Sequence, residues 1–400
     1  MAESELKVIL RVASRPHHAA RALAWLHAEV GGHRVTVVDD ARDPAVEARH
    51  RALCRTVGAT HLGRAARRAW ATRLADRSID PAKVEALLLG PEHAFTAGAA
   101  MNTALLLAAG AKVIVVDDDV LPLGCPAAPG PAGPPQDPTA LAVFPTRQAA
   151  LRAHPLQRGV LRATWAEAGA GVSVLGLLGD SGMRSGVGYL VRGGASLVAM
   201  AEDWARLGTS RQVLRAAPSV TPGRALTSAA LVLDQRNTAL PPLLPELRNS
   251  DGLWGATLPE PPRHLPWALV HAPERRRTSP EEARAHLVAP RASEYLALAA
   301  GALPDTPAGW QELLRPRWRA HLERVAERLD DARRTAPGHA DAFHAHVQAS
   351  LRALAAVPDP PPPADVSWAA LTRLSRQQRE ARASWPELVA RVMRSADQRM

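Results

Sequence analysis

The feature that most constrains this chain is VIVVDDDV at residues 113–120. A short apolar run of β-branched residues reads as a buried strand, here 112–116. The run ends directly in Asp117, Asp118 and Asp119. A strand that delivers two carboxylates at i and i+2 to its exposed end suits a divalent cation, which takes oxygen ligands and keeps positions open for phosphate oxygens. Three adjacent carboxylates repel one another, and a bound cation relieves that repulsion. A solvated acidic turn is the alternative on the triplet alone.

Two further runs precede this one. LKVILRV at 6–12 reads as a strand, and RVTVV at 34–38 as a second, ending at Asp39 and Asp40. Between them, Ser14 is the expected N-cap of a helix with Ala20, Leu23, Ala24, Leu26 and Ala28 on its apolar face, stopped by Gly31 and Gly32. Residues 41–58 are polar and helix-prone. Asp80 and Pro81 open a short helix to about 90, and 99–109 form another, closed by Gly110. Alternating strands and helices predict an α/β domain with a largely parallel sheet. Ligands then bind beyond the carboxyl ends of the strands, where both acidic clusters fall.

Farther on, 121–138 is a Pro/Gly-rich stretch expected to be a mobile surface loop. Residues 171–178 and 187–200 are candidate strands, and 224–234 fits strand or helix. The zone 241–266 is proline-rich. A helix is expected from Ser279, long helical periodicity over 307–356, a stiff proline linker at 358–365 and a last amphipathic helix over 366–396. The predicted organisation is an α/β domain over 1–274, a helical extension over 275–357, the linker, and a terminal helix over 366–400.

With 400 residues and 46% hydrophobic content, core material is ample. Two cysteines, Cys54 and Cys125, exclude a disulfide framework and a cysteine-based structural zinc site. The N-terminus lacks a basic segment followed by an apolar one, and no stretch of about 18 apolar residues exists for a membrane span. A cytoplasmic protein is expected. The net charge is +10, yet aromatics are only 4% and the lysines are Lys7, Lys83 and Lys112 alone. No basic stripe interleaves with aromatics, so nucleic acid is not the expected partner.

Three segments, in order, resemble the nucleotide-sugar glycosyltransferases of the GT-A fold, in particular the large family 2 of inverting enzymes. ILRVASRPHHAARALAWL followed by RVTVVDDARDP is similar to the family's opening strand, helix and acid-tipped second strand. GAAMNTALLLAAGAKVIVVDDDV is similar to its G-x-x-R-N-x-G…D-x-D stretch, with Met101 in place of the arginine and Ala104 in place of the glycine. The likeness spans roughly residues 6–120. It implies a GT-A fold with a mostly parallel sheet flanked by helices, to which the periodicity above adds a C-terminal helical extension. It also implies a nucleoside-diphosphate-sugar donor touched by Asp39, Asp40, Asn102 and Asp117, with Mn²⁺ or Mg²⁺ held by Asp117 and Asp119. His271, at the end of an apolar run and preferred over His264, completes the metal set. The acceptor is unspecified.

An inverting transferase needs a general base, and Asp251 in LRNSDGLWGATL is the candidate, just before an apolar helix start. A helix-capping role is its structural alternative. Arg275, Arg276 and Arg277 are candidates to clamp a diphosphate, or form a solvated face. GDSGM at 179–183 matches the trypsin nucleophile motif only locally and reads as a turn. The competing functions are a nucleotidyltransferase, whose glycine-rich N-terminal loop is missing from ILRVASRP, and a non-catalytic scaffold of the same fold.

Overall fold

The computed structural model describes residues 6–75, 79–92, 97–127, 138–144, 146–180, 212–247, 250–272, 290–299, 301–335, 341–357 and 360–397. The candidate strand 187–200, the helix start at Ser279, the arginine run 275–277, and Ser181 to Met183 lie outside these residues.

The first half alternates as the sequence predicts. β1 (Val8–Val12), α1 (Pro16–Val30), β2 (Val35–Asp39), α2 (Pro44–Val57), β3 (Thr60–Leu62), α3 (Arg64–Leu74), α4 (Pro81–Leu89), α5 (Ala97–Leu107) and β4 (Lys112–Asp117) follow in turn. Asp43 and Asp80 cap α2 and α4 by accepting from the amides of Ala45 and Ala82, each with proline in the first turn. The expected cap Ser14 is not used. Arg15 occupies that position without a side-chain cap bond, because a guanidinium has no acceptor to offer the helix amides, and it reaches the acidic triplet instead.

The second half adds β5 (Val120–Pro126), β6 (Ala140–Phe144), α6 (Arg147–Ala153), α7 (Val160–Glu167), β7 (Gly171–Asp180), β8 (Gln212–Ala216), β9 (Thr221–Pro222), β10 (Ala230–Asp234), α8 (Ser250–Thr257) and β11 (Arg263–His271). The undecided segment 224–234 therefore resolves as a strand at its end. The start of the Pro/Gly-rich stretch is also strand rather than loop. Val120 and Leu121 are buried, and β5 pairs with β11. Pro122 and Pro126 are tolerated because β5 ends the strand path as an edge.

The main path of the sheet runs β3-β2-β1-β4-β10-β7-β11-β5, with β6, β8 and β9 attached. β1, β2, β3 and β4 are mutually parallel, β10 enters antiparallel, and β7 and β11 again point with the first block. The fold is thus α/β with a mixed, mostly parallel central sheet. Residues alternate between two helical layers. Leu10, Val37, Ile114 and Val116 pack with α1 and α2, while Ile9, Val38, Val113 and Val115 pack with α3, α4 and α5.

The remaining helices are α9 (Ala292–Leu298), α10 (Pro307–Thr335), α11 (Asp341–Ala355) and α12 (Trp368–Asp397). α9, α10 and the start of α12 share a core built on Tyr295, Trp310 and Trp318. Residues 360–365, read as a linker, are tied down: Tyr295 Oη donates to the Pro361 carbonyl at 2.5 Å, Ala364 N to the Pro290 carbonyl, and Asp365 accepts from Ala292 N. α12 then returns to the α/β domain. Its Trp385, Leu388 and Val389 join the core of α3, α4 and α5, and Trp385 Nε1 donates to the Leu240 carbonyl at 2.7 Å. No helix among the described residues is long and apolar enough to cross a membrane.

Candidate active site

Strand order reverses its direction of growth between β1 and β4, since β2 and β3 lie on one side and β10 and β7 on the other. In open α/β sheets the crevice beyond the carboxyl ends at such a switch point is where ligands bind. The loop after β1 brings Arg15 there and the first turn of α1 brings His18, and the end of β4 brings Asp117, Asp118 and Asp119.

The triplet divides between the two faces of the sheet. Asp117 follows Val113 and Val115 toward the α5 side and meets Arg11, its register partner on β1, with Arg11 Nη2 to Asp117 Oδ1 at 2.6 Å. The chain leaves the strand after Asp117, so alternation stops. Asp118 and Asp119 then turn together to Arg15, whose Nη2 donates to Asp118 Oδ1 at 2.6 Å and to Asp119 Oδ2 at 3.2 Å. The i, i+2 pairing of Asp117 with Asp119 expected from a continuing strand is replaced by the adjacent pair.

His18, Asp118 and Asp119 each place a potential ligand atom within 4.8 Å of the others, and all three are buried. Asp118 Oδ2 is buried with no hydrogen-bond partner among the described residues. Burial pushes Asp118 up to about 7, against the opposing pull of Arg15. Partial burial disfavours the charged guanidinium of Arg15, but the three carboxylates outweigh it and hold it above its ordinary value. Burial raises Asp117 in the same sense as Asp118, although 32% of its side-chain surface stays open. His271, the last residue of β11, stands with Nε2 3.6 Å from Asp119 Oδ1. The structure therefore brings His271 and Asp119 together as expected and adds His18 and Asp118, which the D-x-D spacing passed over. The usable signal for His18 was its place one turn into the helix that follows β1.

Asp251 lies in the first turn of α8 and is half-buried. Gly252 N donates to its Oδ1 at 2.9 Å and Ser228 N to its Oδ2 at 3.2 Å. Arg11 Nη2 donates to the Ser228 carbonyl at 2.6 Å as well as to Asp117, and Asp117 N donates to the Ala229 carbonyl. One guanidinium, 7% exposed, thus joins the end of β4 to the loop that holds Asp251.

Three expected donor contacts sit elsewhere. Asp39 is fully buried. Its Oδ1 accepts from Ala41 N, and its Oδ2 faces His61 Nε2 at 2.9 Å and His50 Nδ1 at 3.1 Å. Burial alone would raise its pKa, but these bonds outweigh it and hold the carboxyl below its usual value. Asp40 is paired with Arg64 and with the buried Arg67. Asn102 is fully buried. Its Nδ2 donates to the carbonyls of Leu87 and Leu243, and its Oδ1 accepts from Leu243 N, so it brackets α4, α5 and the proline-rich loop. The spacing that aligned Asn102 with a donor-binding asparagine coincides here with a structural one.

Compared with known protein families the chain matches none, and no curated protein is detectably similar to it in sequence.

Proposed function

We propose that this chain is a divalent-cation-dependent glycosyltransferase that moves a sugar from a nucleoside diphosphate to an acceptor hydroxyl. The observation that carries the reading is the buried His18–Asp118–Asp119 group at the β1/β4 switch point, with a carboxylate oxygen that no described residue satisfies. Such a group fits Mn²⁺ better than Mg²⁺, since imidazole and carboxylate both belong to its donor set. A cation bound there supplies charge neutralisation for the departing diphosphate. His271 stands beside Asp119 as a further ligand.

Asp251 is the base in this reading. Its carboxylate is fixed by two backbone amides and removes the proton of the acceptor hydroxyl. The hydroxyl oxygen forms a bond to the anomeric carbon, the bond from that carbon to the diphosphate oxygen breaks, and its electron pair leaves with the nucleoside diphosphate. Arg11 fixes the distance between Asp117 and the Ser228 loop. The nucleotidyltransferase reading gains no observation from the fold. The scaffold reading has one: Arg15 already balances two of the carboxylates.

Calorimetric titration with a panel of nucleoside diphosphates, in Mn²⁺ and in EDTA, separates these readings. Metal-dependent binding of one diphosphate is expected, lost in Asp118→Ala/Asp119→Ala. Asp251→Asn is expected to keep that binding and to lose roughly a hundredfold or more in kcat, the usual worth of a positioned base. A folded protein that binds no nucleotide in Mn²⁺ sinks the donor site and leaves the scaffold.

A further inference from the structure

We infer that Arg15 is the exchangeable counter-ion of the site: it gives up Asp118 and Asp119 to the divalent cation and takes the diphosphate of the donor in their place. This rests on the transferase reading above and deepens it by naming what the cation displaces.

One nitrogen carries the first step. Arg15 Nη2 donates to Asp118 Oδ1 at 2.6 Å and to Asp119 Oδ2 at 3.2 Å. A single positive group therefore bridges the two carboxylates that, with His18, form the cation cluster. A divalent cation takes such oxygens at about 2.0–2.6 Å, so it competes with Nη2 for the same pair. Charge points the same way. Asp117, Asp118 and Asp119 all act on Arg15, and Asp117 also pairs with Arg11. Ligand carboxylates are ionised when a cation is bound. A dication beside both guanidinium groups leaves one positive charge too many for three carboxylates, and an unbalanced charge is costly in a buried site. Withdrawal of one guanidinium restores the balance.

Arg15 is the one that can leave. Arg11 is 7% exposed and also donates to the carbonyl and the Oγ of Ser228, so its release breaks bonds beyond the triplet. Arg15 is 32% exposed, and among the described residues its guanidinium bonds go to Asp118 and Asp119 alone. Its backbone is fixed separately. The Arg15 carbonyl accepts from His18 N and Ala19 N at the start of α1, while its side chain caps nothing. The guanidinium can thus swing without loosening the helix. In the transferase reading the anion nearest to it is then the diphosphate on the cation. A guanidinium matches a phosphate group with two parallel hydrogen bonds. Cation and diphosphate bind with positive coupling, because the first frees the arginine that the second uses.

The test is calorimetric titration of the full chain, first with Mn²⁺ alone and then with UDP, GDP, ADP and CDP in saturating Mn²⁺. Arg15→Met is expected to tighten Mn²⁺ binding at least about tenfold, because the competing charge is gone. The same variant is expected to weaken diphosphate binding at least about tenfold, because the charge-assisted contact is gone. Opposite shifts in one variant are the signature, since an arginine that only braces the fold moves both affinities down or neither. Arg15→Gln, neutral but still able to donate to the carboxylates, is the second variant should Arg15→Met fail to fold, with the same two shifts expected. Mn²⁺ binding that is unchanged or weaker, or diphosphate binding that is unchanged, overturns the exchange and, where the parent binds a nucleotide in Mn²⁺, leaves the transferase reading standing. A parent and a folded variant that both bind Mn²⁺ but no nucleotide overturn the transferase reading, and the exchange with it.

Discussion

Asp118 holds a carboxylate where its ionised form is poorly compensated. One oxygen takes a bond from Arg15, the other takes none from the described residues, and the side chain is 4% exposed. Its folded pKa of about 7 lies above the unfolded value of 3.8. The folded state therefore binds the proton more tightly than the unfolded state. The stability this gives is complete below about pH 4 and is lost as pH rises through about 7. Asp118→Asn escapes that loss. Without divalent cation at pH 8 it is expected to be more stable than the parent by on the order of 1–3 kcal/mol, with the difference gone at pH 4. Urea unfolding at the two pH values measures this. Mn²⁺ at a hundred times its Kd should stabilise the parent by about 2.7 kcal/mol and leave Asp118→Asn unchanged. The place of the triplet at the carboxyl end of a buried strand was legible in the sequence, because the apolar β-branched run stops at Asp117. The division of labour within it was not. It depends on the strand ending at Asp117, and that single residue decides which carboxylates face each other.

At the scale of elements, α5 shows how one helix can serve the fold where the pattern pointed to a ligand. Gly98 lets the backbone at Leu244 approach so closely that a Cβ there would stand 2.3 Å from its carbonyl oxygen. Asn102, one turn later, closes three hydrogen bonds to that loop and to α4. Asn102→Ala leaves two carbonyls and one amide unpaired in the core. It is expected to cost about 2–4 kcal/mol in urea unfolding while nucleoside diphosphate affinity stays within a factor of about three. A loss of affinity with unchanged stability would return Asn102 to the donor site. The start of α4 was readable from Asp80 followed by proline, and α2 only as a polar, helix-prone run. β10 was not, because AALVL at 229–233 is a short unbroken apolar run and a buried strand then looks like a buried helix. β5 was hidden by its prolines, which an edge strand accepts.

For the whole molecule, the arrangement that matters most is the return of α12. Its amphipathic stripe was plain in the sequence, but a stripe says only that a helix docks and not on what. The partition into an α/β domain and a separate terminal helix followed from that gap. In the structure Trp385 is 2% exposed, packs with Leu388 in the core of α3, α4 and α5, and donates to the Leu240 carbonyl. Trp385→Ala is expected to cost about 3–5 kcal/mol, as for an aromatic deleted from a central core. Chemical denaturation gives the value, and a cost below about 1 kcal/mol would mark α12 as an appendage.

That docking also bears on how the chain comes to be folded at all. Arg391 Nη1 donates to the Leu74 carbonyl across 317 positions of chain. A nascent polypeptide that has emerged through β11 has every described strand of its sheet, yet the groove between α3 and α5 still lacks the helix that fills it. Contacts so distant in sequence form late and slowly, and apolar surface stays open meanwhile. Translation that stops short of α12 would therefore release a product with all the described strands and an unsealed core, prone to aggregate.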